Sequence, residues 1–254
     1  MTKTQWEAFS AFRSRFRAQC AVWAETAGTA PDGWLASLQK EAAVVDENPD
    51  YPLETPVVYN RSLDVVNETD DIKIILVGDN PGKDEQLEKN RRYLVGQAGK
   101  LGDGFFKKNP VLGIDFRKNV IILNKTPIHT AKTKQLSFIR KKGGERFEKL
   151  FAETQVWMAK ETAALQKELA CGLWLVGYGE LRKTGLFAVY AAELEKQYCA
   201  DENDFRGLGA VRVYQHFSMN RFSIDLEQGY IKNLGLEDNL RALGYAHRNE
   251  ILGW

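Results

Sequence analysis

Four short apolar runs, β-branched or aromatic in character, constrain this chain more than any other feature: Ile72 to Val77, Val120 to Leu123, Leu173 to Val176 and Val211 to Gln215. They read as strands. Between them the period changes to that of a helix, clearest at Phe147, Leu150, Phe151, Thr154, Met158, Leu165 and Leu169, and again at Leu181, Leu186, Tyr190, Leu194 and Tyr198. Strands alternating with helices predict an α/β three-layer sandwich with a short, mostly parallel central sheet of about four strands. In such folds ligands sit beyond the carboxyl ends of the strands. The residues to examine are therefore Gly78 to Gly82, Asn124 to His129, Gly177 to Glu180 and His216 to Phe222.

Ahead of the first run, Trp6, Phe9, Phe12, Phe16, Cys20 and Trp23 recur three or four apart, the stripe of an amphipathic helix with one aromatic face. Core packing explains it better than a cofactor box. Pro31-Asp32-Gly33 breaks this pattern, and Pro49, Pro52 and Pro56 mark an extended connector. Residues 1–70 thus read as a helical N-terminal extension packed on a main domain of residues 71–254.

At 254 residues and 44% hydrophobic content the chain can build a full core, which excludes disorder as its overall state. The longest purely apolar stretches are far short of the roughly 18 residues that span a bilayer. No membrane partner is expected, and with no secretory address at Met1 to Phe9 the expected location is the cytoplasm. Cys20, Cys171 and Cys199 are widely separated, so a disulfide framework, a structural zinc site and a four-cysteine cluster are not expected. His129, His216 and His247 lack ligand spacing, so no metal is expected.

The net charge of +1 conceals an asymmetry. Residues 83–146 hold 16 Lys and Arg against 6 Asp and Glu, a net +10, while the remainder carries −9. A basic middle in a neutral chain suits a phosphate-attracting surface; solvated helix and loop faces would produce the same count.

Gly78-Asp79-Asn80-Pro81-Gly82-Lys83 follows the first strand. It is not a P-loop, which needs four residues between its glycines and a hydroxyl after the lysine, and the dinucleotide fingerprint is absent. It is a rigid turn in which Pro81 biases Asn80 to an extended backbone and the glycines permit close approach. Asn124 is the first polar side chain after the second strand, and its amide can read a nucleobase edge. His216 opens the loop after the last strand and is followed by Phe217 and Met219, apolar residues able to act as wedges.

A G-x-N-P-G turn after strand one, an asparagine after strand two and an H-x-S loop after the last strand together resemble the uracil-DNA glycosylase superfamily. Leu94-Val95-Gly96-Gln97-Ala98-Gly99-Lys100-Leu101 is similar to the V-G-x-A-G-x-L segment of its iron–sulfur-type bacterial class. The resemblance spans about residues 70–225. It implies that Asn80 positions the attacking water, that Asn124 reads the base and that His216 faces the base's carbonyl oxygen. Asp79 matches the carboxylate of the G-E-A-P-G motif, acting as a general base or bonding to backbone within the turn. Stacking on the flipped base falls to Tyr93 or Phe105.

The cluster cysteines of the iron–sulfur class are missing here, so no cofactor is expected. Phe217 and Met219 replace the usual prolines of the loop, and Asn220 stands at the customary leucine wedge. DNA contacts are expected from Lys83, Arg91, Arg92, Lys100, Ser218, Met219 and Arg221, with Lys132, Lys134 and Lys141 nearby and Arg140 to Gly144 as a mobile basic loop. The implied function is a monofunctional, monomeric DNA glycosylase. It hydrolyses the N-glycosidic bond of a deaminated base, uracil first, in single-stranded or damaged duplex DNA after base flipping. A catalytically silent nucleic-acid-binding protein on the same fold is the alternative, and a flavodoxin-like enzyme for a free nucleotide ranks last.

Overall fold

The computed structural model describes residues 1–28, 33–48, 50–199 and 205–254. Four strands, β1 (Ile74–Gly78), β2 (Val120–Asn124), β3 (Gly172–Val176) and β4 (Val211–Tyr214), form one sheet in the order β2-β1-β3-β4. All pairings are parallel. Nearly every strand residue is buried, which is why these segments read as continuous apolar runs rather than alternating ones. The first strand begins at Ile74, which pairs with Val120 of β2 and whose amide donates to the Asn119 carbonyl.

Helices cover the sheet. They are α1 (Lys3–Thr26), α2 (Trp34–Val45), α3 (Gln97–Lys108), α4 (Gln135–Leu169), α5 (Ala188–Cys199), α6 (Phe205–Leu208), α7 (Arg221–Gln228) and α8 (Leu236–Leu252). The α1 helix starts on a capping box: Thr2 Oγ1 accepts from the Gln5 amide, and Gln5 Oε1 accepts from the Thr2 amide. Its aromatic stripe, Phe9, Phe12, Phe16 and Trp23, is fully buried, with Phe16 stacked on Trp157 of α4 and Trp23 edge-on to the same ring. Burying each such ring contributes roughly 1.5–3 kcal/mol, so the N-terminal helix belongs to the same core as the sheet. The α3 and α7 helices meet the sheet through aromatic rings: Phe106 and Phe222 both stack against Trp174.

Two sequence expectations need correction. Arg140 to Gly144 is not a loop: α4 runs through it, bent at Gly144, whose φ of 54° and ψ of −146° interrupt the helical path. Arg140 pairs with Glu148 and Lys142 with Glu41, so this basic run is a solvated helix face. Leu181 and Leu186 precede α5 instead of opening it, because Gly177 enters the left-handed region and starts a short 3-10 turn at Tyr178–Leu181. Among the described residues no helix is long and apolar enough to cross a membrane.

Candidate active site

The strand order places a topological switch between β1 and β3. The chain leaves β1 towards β2 on one side and leaves β3 towards β4 on the other, the position at which such folds hold a ligand crevice beyond the strand ends. Around this position the strand ends carry Asp79 after β1, Asn124 and Lys125 at the end of β2, Gly177 after β3 and His216 after β4, with β2 and β4 at opposite edges of the sheet.

Lys125 is buried here. The side chain is 0% exposed, and its Nζ donates to Asp79 Oδ1 at 2.5 Å and to the Val176 carbonyl, the last of β3, at 2.7 Å. The ammonium also lies 5.2 Å from the centre of the Phe187 ring. Burial pulls the Lys125 ammonium below the ordinary lysine value, and the Asp79 charge and hydrogen bond oppose that pull. The Asp79 carboxylate in turn rests on Gly177, where a Cβ would stand 2.7 Å from Oδ1; with φ at 84°, only glycine suits this position. Asp79 is therefore an ion-pair partner. Its Oδ1 bonds to Lys125 and not to backbone within the turn, one of the two roles the sequence suggested.

Asn124 lies across the end of β1. Its residue is paired in register with Gly78, and a Cβ on Gly78 would meet Asn124 Oδ1 at 2.6 Å, so glycine here makes room for the amide. Asn124 is 2% exposed, and its Nδ2 has no hydrogen-bond partner among the described residues. An orphaned buried donor is costly, at about 1–3 kcal/mol, unless a ligand or water supplies an acceptor.

His216 is held by its own loop. The Ser218 backbone N–H donates to His216 Nδ1 at 3.1 Å, and the Ser218 hydroxyl lies 2.9 Å from the same nitrogen. Nδ1 is thus an acceptor, which leaves the proton of the neutral ring on Nε2. Burial lowers the His216 pKa; Asp79 raises it and Lys125 lowers it, so both crevice charges act on this ring. Ser218 positions the imidazole. Phe217 is not a wedge: it is buried, stacked on Phe222 at 4.6 Å. Met219 projects instead, 74% exposed, and it and Asn220 both adopt left-handed backbone with φ of 53° and 56°.

Asn80 is partly buried and tethered away from the β4 loop. Its Nδ2 donates to Thr130 Oγ1 at 2.8 Å and its Oδ1 accepts from the Thr133 hydroxyl at 3.0 Å, leaving one lone pair of the carbonyl uncommitted. The rest of the turn is pinned as well. Glu85 accepts from the amides of Gly82 and Leu94, joining the two glycine-bearing motifs. His129 Nδ1 donates to the Pro81 carbonyl at 2.8 Å, and its Nε2 accepts from the Tyr51 hydroxyl at 3.0 Å. Burial raises the Glu85 carboxyl to about 7 and lowers the His129 imidazole to about 4.

Neither expected stacking ring is free. Tyr93 is 0% exposed and its hydroxyl donates to the Val58 carbonyl at 2.6 Å. Phe105 is buried edge-on between Phe106 and Phe222. Among the expected phosphate contacts, Arg91 is committed to Glu88, and Lys132 and Lys134 converge on Asp46. Lys83, Arg92, Lys100 and Arg221 are exposed and form no ion pair among the described residues, as does Lys141 on α4. No group of three His, Cys, Asp or Glu side chains among the described residues is placed to hold a metal. Lys125 is the site residue that sequence reasoning missed; it follows Asn124 directly, in a stretch that the fold buries from Val120 to Thr130.

Comparison with protein-family models, with curated proteins and with solved structures finds no match for this chain.

Proposed function

We propose that the chain is a DNA glycosylase that hydrolyses the N-glycosidic bond of a deaminated base, uracil first, after flipping it into the crevice at the strand ends. The observation that carries this reading is the buried, unpartnered Asn124 amide at the end of β2, together with a histidine after β4 whose tautomer leaves an Nε2–H donor. Uracil offers two carbonyl acceptors flanking an N–H. Asn124 Nδ2 supplies a donor for one carbonyl and its Oδ1 an acceptor for the N–H, while His216 Nε2–H serves the other carbonyl. Cytosine would turn an amino group towards the same Asn124 donor and be rejected, because two donors cannot pair.

The departing base carries negative charge. A preorganised N–H donor and the buried Lys125 ammonium stabilise it, and removing one such donor typically costs about 2.7–4 kcal/mol, or 10²–10³ in rate. The free lone pair of Asn80 Oδ1 orients water towards the cation-like sugar without removing its proton. Lys83, Arg92, Lys100 and Arg221 hold phosphates, and Met219 takes the place vacated by the stacked base. On this reading the protein works as a cytosolic monomer, in keeping with free thiols at Cys20, Cys171 and Cys199.

One observation favours a silent DNA-binding protein instead: Asp79 is neutralised by Lys125, and Asn80 is tied to two threonines. Release of free base from uracil-containing single strands decides between them. Excision that falls 10²–10³-fold in His216→Ala and in Asn124→Ala, with DNA binding kept, is the expected result. Binding without release of uracil, hypoxanthine or xanthine establishes the silent reading.

A further inference from the structure

Beside the His216 loop runs a groove of about 540 Å³ between α3 and α7, lined by Lys100, Gly104 and Lys108 on one wall and by Asn220, Ser223 and Tyr230 on the other. We propose that this groove is a track for single-stranded DNA, feeding the strand-end crevice; it rests on the glycosylase reading and specifies the form of substrate that site receives.

The groove has the length, charge and open floor to hold a strand. Lys100 and Lys108 are about 12 Å apart along the helix axis, at about 1.5 Å per residue. That distance spans three to four stacked nucleotides at about 3.4 Å each. Neither lysine forms an ion pair among the described residues, whereas the neighbouring Lys107 is held by Asp103. Gly104 lies between them, and a Cβ there would meet nothing within 4 Å, so the floor is open to a sugar or base.

Tyr230, 44% exposed on the facing wall, offers a ring on which a base can stack. A stacking platform engages the face of a base, and in a duplex those faces are covered by neighbouring base pairs. The lining holds a single carboxylate, Glu227, so the net charge of the groove stays positive. The groove adjoins the His216 loop: Asn220, which lines the groove, also precedes the first residue of α7 and lies four positions after His216. Beneath it Phe105 and Phe222 pack at 4.9 Å, a stiff base for the groove.

The test uses fluorescence anisotropy with a labelled oligothymidylate that contains no uracil, so that binding is read apart from catalysis. The slope of log affinity against log salt should flatten by about 1.4 in Lys100→Gln/Lys108→Gln, at about 0.7 per phosphate on a single strand. Tyr230→Ala should weaken binding by about 5- to 150-fold. Tyr230→Ala should bind a blunt duplex of matched length within about twofold of the parent chain, since the ring has no base face to stack on there. An unchanged slope in the double variant, an equal loss on duplex in Tyr230→Ala, or no single-strand binding by the parent chain overturns the proposal. Uracil excision by the parent chain is scored separately. Excision alongside unaltered variant binding removes the track alone, and binding through the groove without excision removes the glycosylase reading alone.

Discussion

The two sides of the strand-end surface are built in opposite ways. On the β1–β2 side the Gly78 to Gly82 turn is tied at four residues: Asp79 to Lys125, Asn80 to Thr130 and Thr133, the Pro81 carbonyl to His129 and the Gly82 amide to Glu85. On the β4 side His216 bonds only within its own loop, and Met219 and Asn220 hold left-handed backbone in solvent. The pinned side fixes where a base would be read, since its groups cannot rotate. The strained side is free to move against a ligand, and strained backbone of this kind persists where the surroundings impose it.

If the pinned side is a rigid scaffold, removing its central cation should do the most damage. Lys125→Met leaves the Asp79 carboxylate, 15% exposed, and the Val176 carbonyl without their donor. Breaking one partner of a buried pair costs about 3–5 kcal/mol, and a loss of that size is expected in urea unfolding. The Lys125→Met/Asp79→Asn double variant should recover part of it, because the stranded charge is gone. A loss below about 1 kcal/mol in the single variant would mean the pair is not what holds the crevice floor.

The same side carries two titrations of opposite sign. Unfolded His129 takes up its proton near 6.5 but the folded ring only near 4, so stability falls as pH drops through that window. Folded Glu85 keeps a proton up to about 7 that the unfolded chain releases near 4.5, so its contribution is complete below 4.5 and is lost as pH rises to 7. Each is worth of order 3 kcal/mol, and between about pH 4.5 and 6.5 they offset each other. For these two groups together, unfolding free energy should be flat there. Glu85→Gln should uncover the histidine alone, as a rise of about 1.4 kcal/mol per pH unit. A flat Glu85→Gln profile over this range would show that His129 is not held neutral against Pro81, and one parallel to that of the parent chain that Glu85 does not keep its proton there.

How these sides read from sequence differs for physical reasons. The strands were legible because both faces are buried, which leaves an apolar signature in Ile-Ile-Leu-Val and Val-Ile-Ile-Leu. Gly78 was legible as a close-approach position, although the group that approaches, Asn124, was not identified as its cause. Lys125 was illegible: among the basic residues of the chain's middle, nothing local separates a buried ammonium from a solvated one, because its partners Asp79 and Val176 are 46 and 51 residues away. Tyr93 and Phe105 misled for the converse reason. An aromatic residue near a glycine motif reads as a platform until Val58 and Phe222, distant in sequence, are seen to cover it.

The smallest expected effect tests the strained side. Met219 has φ 53° and ψ 27° with 74% of its surface in solvent, so little packing justifies its conformation. A left-handed L-residue costs about 1–2 kcal/mol, and glycine removes that cost while adding about 0.4–1 kcal/mol of freedom to the unfolded chain. Met219→Gly should therefore stabilise the protein by about 0.5 kcal/mol, a rise of about 1–2 °C in Tm. Met219→Ala keeps the strain and should leave Tm within about 1 °C. If Met219 is the group that fills the stack after flipping, both variants should lose excision from duplex while keeping it on single strands, where no partner base must be replaced. Destabilisation by glycine would show that the loop conformation is supported and not strained. Equal excision loss on both substrates would place Met219 in the reading of the base and not in opening the helix.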